Sequence, residues 1–259
     1  MFLYRIAADT WAVSATPDGP LRVLQSDPLQ APPEAWVLGE GAGRPAAPLA
    51  PLFRGAKIVG IGRNYKDHVK ELSNPMPAQP VIFLKAPSSV IGPGEAVVLP
   101  PESERVEHEG EIAVVVGRRV RRGASPEEAR QAVLGITAAC DVTARDLQRK
   151  DPTFARAKSF DTFCPLGPAI RIGNDPEGLE DLEVVTRVDG EERQRGQARD
   201  MTWGIVDLIR YAATIMTLEP GDVILTGSPA GVGPLAPGNR VEVEIPGVGV
   251  LENSVVALP

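Results

Sequence analysis

Three carboxylates at the ends of two apolar segments are the side chains of this chain best suited to chemistry. Glu109 and Glu111 stand two positions apart before the apolar run Ile112–Val116, so a β-strand there would project both side chains from one face. A second strand-like run, Gly135–Asp141, ends in the third carboxylate, Asp141. Three carboxylates brought together repel one another unless a cation lies among them, and ligation by oxygen alone selects Mg²⁺, Mn²⁺ or Ca²⁺ over zinc. The spacing alone leaves two interpretations open, a divalent metal site and strand ends whose carboxylates are exposed to water.

A histidine and a glutamate three residues apart could move a proton. If Tyr65–Leu72 forms a short helix, His68 and Glu71 share one face, and the carboxylate can orient the imidazole. Such a pair can take a proton from water. The alternative is a surface helix on which both side chains are solvated.

Basic side chains and a glycine-rich segment could bind an anion. Lys85 and Lys158 stand in apolar surroundings, and Arg145 and Lys158 could offset the negative charge of a carboxylate cluster and an anionic substrate. Taken singly, each is first explained by a surface salt bridge. The segment 226–233 follows the apolar strand Val223–Leu225 and can present successive N–H groups to an anion, but it lacks the Lys-Ser/Thr ending of a nucleotide-binding loop. The segment is therefore explained equally well as a loop that binds a carboxylate and as a plain tight turn.

Capping and turn signals predict few helices and many strands. Ser125 is an N-cap with proline at the first helical position and glutamate at the third, so a helix is predicted over Pro126–Leu134. Apolar residues at three- and four-residue spacing predict a second helix over Gly204–Thr217. Asp189-Gly190 is a type I′ hairpin signal, and Pro246-Gly247 marks another hairpin. The absence of a regular βαβα alternation argues against a doubly wound sheet or a TIM barrel.

Local composition and hydrophobic pattern predict that the chain has two parts of unequal length. Residues 1–55 hold short alternating segments followed by a passage rich in proline, glycine and alanine, which predicts a small N-terminal β unit and a linker. Residues 56–259 begin with a buried strand pattern and are predicted to form the main domain.

Composition excludes several classes of protein. The formal net charge of −7, in a chain without five consecutive Lys or Arg residues, makes nucleic acid and anionic membranes poor partners. Gly 26 and Pro 26 are too many for a helical bundle. Cys140 and Cys164 form no disulfide framework or zinc pattern, which fits a cytoplasmic protein, and Cys140 is expected to face the core, opposite Asp141. No secretory signal or long apolar span is recognisable, so we expect neither secretion nor a membrane span.

Six segments in this order resemble the fumarylacetoacetate hydrolase family from Lys57 to the C-terminus: GRNYKDHVKEL, FLKAPSSVIGPGEAVVLP, EHEGEIAVVVG, CDVTARDLQ, AKSFDTFCPLGP and TGSPAGVGPL. The resemblance implies an α+β, mostly β protein with a mixed β-roll or β-sandwich catalytic fold and a small N-terminal β appendage. It also implies a homodimer and a Mg²⁺ or Mn²⁺ ion, with Ca²⁺ as a third candidate, held by the residues matching Glu109, Glu111 and Asp141.

The same resemblance implies roles for the remaining candidate residues. His68 and Glu71 match a pair on a lid that orders over the substrate and activates water, and Lys158 is assigned to catalysis as well as to substrate binding. The other positions implied to hold a small anionic 2-oxo acid are Arg63, Tyr65, Arg145, Gln148, Gly227 and Ser228. Ser228 stands where the family commonly has threonine, which keeps the hydroxyl, and Ala86 stands where proline often follows the lysine.

The implied activity is chemistry on 2-oxo acids or their enols through a metal-bound enolate. Hydrolysis of a C–C bond in an acylpyruvate is the first expectation, because a base positioned for water is superfluous to simple enolate reprotonation. The alternatives are isomerisation of 2-hydroxyhepta-2,4-diene-1,7-dioate (5-carboxymethyl-2-hydroxymuconate) in aromatic catabolism, decarboxylation of oxaloacetate, or binding of a metal or 2-oxo acid without turnover. The length of the N-terminal part resembles the appendage of bacterial isomerases of this family.

Overall fold

The computed structural model describes residues 1–45, 48–73, 75–173 and 176–258. Strands cover far more of this part of the chain than helices, and the sheets combine parallel with antiparallel pairs. The predicted class, α+β and mostly β, is confirmed. No helix in the described ranges has the length and apolar character that a membrane span requires.

In chain order, the strands are β1 (Phe2–Ala7), β2 (Thr10–Ser14), β3 (Leu21–Leu24), β4 (Leu38–Ala42), β5 (Ile58–Gly62), β6 (Val81–Lys85), β7 (Val90–Ile91), β8 (Ala96–Leu99), β9 (Val106–His108), β10 (Gly110–Val116), β11 (Val133–Cys140), β12 (Thr143–Ala144), β13 (Cys164–Ile172), β14 (Glu183–Val188), β15 (Glu191–Gln197), β16 (Val223–Leu225), β17 (Gly233–Pro234), β18 (Arg240–Ile245) and β19 (Gly249–Ala257). The α-helices are α1 (Lys66–Glu71), α2 (Pro126–Gln131), α3 (Arg145–Lys150), α4 (Ala155–Lys158), α5 (Pro176–Glu180) and α6 (Ile205–Ile215).

Two large sheets pack face to face. The main sheet has the order β4-β3-β2-β1-β13-β11-β10-β16-β5-β6, with β7 paired to β13, and the second has the order β15-β14-β18-β19-β8. Strands β10, β11 and β13 contact β14, β18 and β19 across the interface. A small third sheet, β12-β9-β17, lies at the beginning of β10, where the candidate site residues are.

Strand β10 shows why the centre of the main sheet is apolar throughout. Ile112, Val114 and Val116 belong to one hydrophobic cluster, whereas Ala113 and Val115 belong to another on the opposite face. Both faces of this strand are covered, so its sequence is a continuous apolar run instead of an alternating one. Such a strand gives a rigid base for the carboxylates that lie at its beginning.

The first four strands continue the main sheet. Leu3 of β1 pairs with Ile170 of β13, and Trp11 stacks on Phe53 with 4.3 Å between ring centroids. The hydrophobic cluster that contains Leu3 and Trp11 also contains Ala113 of β10. The division predicted at residue 55 stays a prediction, because a shared sheet does not show whether either part folds alone.

Most local predictions agree with the structure. Asp189 and Gly190 both have positive φ, 53° and 81°, as a type I′ turn requires, and Ser125 forms the predicted capping box with Glu128. The predicted end of the first helix was wrong: α2 stops at Gln131 instead of Leu134. The reason is tertiary, because Val133 begins β11 and pairs with Val116.

Candidate metal and substrate site

The three candidate metal ligands meet at the junction of β9, β10 and β11. Glu109 lies between β9 and β10, Glu111 lies in β10, and Asp141 directly follows β11. The N–H of Asp141 donates to the carbonyl oxygen of Glu109 at 2.8 Å, which brings the two side chains to the same end of the strand pair. One carboxylate oxygen from each residue lies within 4.8 Å of the others, and all three residues are buried. The predicted convergence of these carboxylates is therefore present.

Buried cations surround the cluster. Nζ of Lys158 lies 2.9 Å from Oε2 of Glu109 and 2.5 Å from Oδ2 of Asp141. Arg145 pairs with the other oxygen of Glu109 and, at 2.6 Å, with the carboxylate of Glu107. Lys85, on β6, pairs with Asp141. Ion pairs this deeply buried are costly to leave half-made, so the network fixes the carboxylates in place.

Neighbouring charges separate the protonation behaviour of the two glutamates. Burial alone would raise the pKa of Glu109, but the opposing charges of Lys158 and Arg145 bring that pKa well below its ordinary value. Burial, together with repulsion by Asp141 and Glu109, raises the pKa of Glu111 well above its ordinary value. A divalent cation would relieve that repulsion, so the donor set fits a hard metal ion.

A cavity of about 420 Å³ opens onto this cluster. Several predicted site residues line its wall together with Phe154 and Arg149, namely Arg63, His68, Glu109, Glu111, Arg145, Gln148, Lys158 and Ser228. Gln148 is also held by Arg145, whose Nη1 donates to its Oε1 at 2.6 Å. The cavity thus combines a carboxylate floor with a largely basic and polar wall.

His68 and Glu71 lie on α1 at the edge of the cavity. Nδ1 of His68 is 3.3 Å from Oε2 of Glu71, and the Glu71 carboxylate accepts from the N–H of Gly231 at 3.1 Å. His68 is buried and lines the cavity, whereas a third of the Glu71 side chain is exposed. Because Nδ1 faces Glu71, Nε2 is the ring nitrogen left to meet a substrate or a water molecule.

The glycine-rich segment binds carboxylates of the protein itself. The N–H of Gly227 donates to Oε2 of Glu111 at 2.7 Å, and the hydroxyl of Ser228 donates to the carbonyl oxygen of Gly110 at 3.0 Å. Gly227 has φ of 98°, and a Cβ there would lie 2.8 Å from Cβ of Asn64. Glycine is required at this position on both counts.

Tyr65 is not among the residues that line the cavity. It is buried, its ring is close to Gly196, and its hydroxyl has no hydrogen-bond partner among the described residues. Burial, with smaller contributions from Glu111 and Asp200, raises its pKa above the ordinary value. The hydroxyl therefore stays protonated, so it can donate one hydrogen bond and can also accept one.

Four site residues were not found by reasoning from the sequence: Glu107, Thr143, Asn64 and Gln194. Glu107 anchors Arg145, and Thr143 accepts a hydrogen bond from Lys158. Asn64 donates to the carbonyl oxygen of Thr226 at 2.8 Å. All are polar residues buried by contacts far along the chain, and no local pattern marks such contacts.

Cys140 is buried on the opposite face from Asp141, as predicted, and burial raises its thiol pKa to about 12.

Comparison with known proteins gives concordant matches. Residues 57–256 match the family described as fumarylacetoacetate (FAA) hydrolase C-terminal. The mitochondrial oxaloacetate tautomerase FAHD2A of Homo sapiens is 43% identical over 217 residues, which are 80% of this chain and 69% of that protein. The solved 5-carboxymethyl-2-hydroxymuconate delta-isomerase from Mycobacterium smegmatis is 38% identical with a TM-score of 0.85, and a fumarylacetoacetate hydrolase from psychrophilic Exiguobacterium antarcticum is 33% identical with a TM-score of 0.84. Each of these two comparisons covers 100% of both chains.

Proposed function

Since the chain belongs to the fumarylacetoacetate hydrolase family, we propose that it is a divalent-metal-dependent enzyme that hydrolyses a C–C bond in an acylpyruvate-type 2-oxo acid. The observation that carries the proposal is the juxtaposition of two features in one cavity. Glu109 and Glu111 line the floor and form the carboxylate cluster with Asp141, and His68, which contacts Glu71, lines the wall.

These three carboxylates would hold Mg²⁺ or Mn²⁺, with Ca²⁺ as a further candidate. Such an ion acts as a Lewis acid, stabilising negative charge that develops on a substrate oxygen. The remaining chemistry falls to side chains of the protein.

The charges of the site suit an anionic substrate. Four carboxylates and three cations are buried together, which leaves one net negative charge when all are ionised; they are Glu107, Glu109, Glu111, Asp141, Lys85, Arg145 and Lys158. A divalent ion would turn this into one net positive charge, which a substrate carboxylate would neutralise. Arg145 uses three of its nitrogens on Glu107, Gln148 and Glu109, and a guanidinium has five N–H groups, so two remain to bind that carboxylate.

His68 is assigned the role of general base. Its Nε2 would take a proton from water, and the Nδ1 contact with Glu71 would stabilise the resulting imidazolium. The water oxygen would add to the C4 carbonyl, and the C3–C4 bond would break with its electron pair remaining on C3. The proton held by His68 would then pass to C3, giving pyruvate and a carboxylic acid.

A second candidate, enol isomerisation or tautomerisation, is favoured by the names of the relatives. Two of them are described as a tautomerase and an isomerase, and the same imidazole could move a proton between two substrate atoms without adding water. Decarboxylation of oxaloacetate would use the same binding mode, with CO₂ leaving instead of an acyl group.

NMR of product formation separates these reactions. The purified protein is incubated with acetylpyruvate, with a 2-hydroxydienedioate and with oxaloacetate, each with Mg²⁺ or Mn²⁺ and each with EDTA. Metal-dependent release of acetate and pyruvate supports the hydrolase. Isomerisation of the dienoate or accelerated enolisation of oxaloacetate, with acetylpyruvate intact, moves the assignment to the second candidate. Activity that survives EDTA contradicts the metal requirement.

A further inference from the structure

Gln194 is a buried amide that contacts two parts of the site, although it lies on β15 in the second sheet. Its Oε1 is 3.0 Å from the backbone N of Gly110 and 3.1 Å from Nδ1 of His108. Its Nε2 is 2.6 Å from Oγ of Ser228 and 2.7 Å from the carbonyl oxygen of Pro229. The amide thus joins residues 108–110, next to Glu109 and Glu111, to the glycine-rich segment.

The backbone partners fix which way this amide points. The N–H of Gly110 can only donate and the carbonyl of Pro229 can only accept, so Oε1 faces the first and Nε2 the second. In this orientation both donor positions and both acceptor positions of Gln194 are filled. It follows that His108 donates from Nδ1.

The contacts continue from Gln194 to a metal ligand. Ser228 accepts from Gln194 and donates to the carbonyl oxygen of Gly110. The preceding residue, Gly227, donates its N–H to Glu111. A displacement of residues 227–229 would therefore move both the hydroxyl of Ser228, which lines the cavity, and the hydrogen bond that orients Glu111.

The fit between β15 and the glycine-rich segment leaves little room for displacement while Gln194 is in place. A Cβ on Gly231 would lie 1.9 Å from the carbonyl oxygen of Arg193, and a Cβ on Gly196 would lie 2.6 Å from Cβ of Pro229. These two glycines let the backbones approach closely enough for a side chain of the length of Gln194 to reach the segment.

We propose that Gln194 is a positioning residue, which fixes residues 227–229 against residues 108–111 and so sets the geometry in which Ser228 and Glu111 meet the substrate. The link to substrate rests on the proposed function, whereas the hold on the segment does not. The two parts are therefore tested by different measurements on the full-length protein.

Three variants separate this role from a general contribution to folding. Gln194→Leu removes all four hydrogen bonds at similar volume, and Gln194→Glu keeps the acceptor toward Gly110 but, when ionised, cannot donate to the glycine-rich segment. Thr186→Val is the matched control, because Thr186 pairs with Gln194 across β14 and β15, and its buried hydroxyl has no partner among the residues that the structure describes.

The first measurement is hydrogen exchange of peptides covering residues 226–233 in the metal-free protein. We expect exchange about tenfold faster in both Gln194 variants and unchanged in Thr186→Val. Wild-type exchange in either folded Gln194 variant would overturn the proposal. Gln194→Glu keeps the test open if Gln194→Leu does not fold.

The second measurement is calorimetric titration with oxalate, a stable planar analogue of a 2-oxo acid, in excess Mg²⁺. We expect about tenfold weaker oxalate binding in the Gln194 variants, which corresponds to the loss of one or two hydrogen bonds, and wild-type affinity in Thr186→Val. Faster exchange with unchanged oxalate affinity would overturn the link between Gln194 and substrate binding. Failure of the wild-type protein to bind oxalate would count against the proposed function, and the exchange data would still decide whether Gln194 holds the segment.

Discussion

Lys85 and Lys158 bind the two different oxygens of one carboxylate, with Nζ of Lys85 2.6 Å from Oδ1 of Asp141 and Nζ of Lys158 2.5 Å from Oδ2. The lysines come from different elements, β6 and α4, and Lys85 also donates to the carbonyl oxygen of Lys158. Asp141 is therefore held from both sides. Lys85 is 56 positions from Asp141 in the chain, and Lys158 is 17 positions from it. The orientation of Asp141 is set by the fold and not by a bound ion alone.

Replacing Lys85 with methionine should destabilise the protein strongly. The change leaves one oxygen of a buried carboxylate without its cation, and breaking a buried ion pair on one side typically costs about 3 kcal/mol. Urea unfolding measures the effect. Lys70→Met is the control, because the Lys70–Asp67 pair is largely exposed and should contribute less than about 1 kcal/mol. Equal stability of the two variants would contradict the structural role of Lys85.

Asp141→Asn should weaken Mg²⁺ binding by at least about tenfold, because affinity for a hard cation depends on the number of charged oxygen ligands. Titration calorimetry of the folded variant measures the effect, with Asp67→Asn as the exposed control. Wild-type affinity in Asp141→Asn would remove this residue from the ligand set.

His68→Ala should reduce turnover about 100- to 10,000-fold, the usual contribution of a positioned general base, and leave metal affinity unchanged. The NMR assay gives the rate and calorimetry gives the affinity. Lys66→Ala, an exposed change on the same helix, is expected to behave as wild type. Undiminished turnover in His68→Ala would refute the role assigned to the imidazole.

Gly227→Ala and Gly238→Ala form a matched pair. Both glycines have positive φ, 98° and 94°, and this backbone conformation costs an alanine about 1 kcal/mol. A Cβ at residue 227 also meets Asn64 at 2.8 Å, whereas nothing lies within 4 Å of a Cβ at residue 238. We expect Gly227→Ala to be the more destabilising by thermal unfolding and to weaken metal binding through Glu111. Identical melting temperatures would show that residue 227 has room for a side chain.

The capping box at α2 should give stability a small dependence on acid. Ser125→Ala removes a hydrogen bond to the N–H of Glu128 and should cost about 1 kcal/mol. Hydrogen bonds from the backbone and side chain of Ser125 lower the pKa of Glu128. The contribution of the Glu128 carboxylate to the free energy of unfolding is therefore complete above the ordinary glutamate pKa. It is lost as the pH falls through the lowered pKa of Glu128.

Unfolding of Glu128→Ala measured at neutral pH and near pH 3 checks this sign. The difference in the free energy of unfolding between Glu128→Ala and wild type should shrink at the lower pH. Glu102→Ala, an exposed change outside any helix, should differ little from wild type at either pH. A larger penalty at low pH would contradict the assignment.

The parts of the fold that local chemistry controls could be predicted from the sequence. Ser125 specifies the start of α2, and Asp189-Gly190 specifies its hairpin, since each signal lies within four residues of its effect. The end of α2 was mispredicted because strand pairing by Val133 outweighed helix propensity.

The same distinction holds for the site. The spacing of Glu109 and Glu111 predicts that both lie on one face, but the pairing of Arg145 with Glu107 spans 38 positions and leaves no periodic trace. The hydrogen bond from Gln194 to Ser228 spans 34 positions, so the role of Gln194 could not be predicted for the same reason. The predicted homodimer stays a prediction.

The pairing of β1 with β13 has a practical consequence for shortened forms of this protein. Cutting the chain just before Lys57 keeps the matched family region but strips β1 from β13, exposing unpaired backbone N–H and C=O groups where Arg171 and Ile170 pair with Phe2 and Leu3. An open edge of that kind recruits other strands. A catalytic region without β1 is therefore expected to self-associate more readily than the chain that retains β1, even with every residue of the site intact.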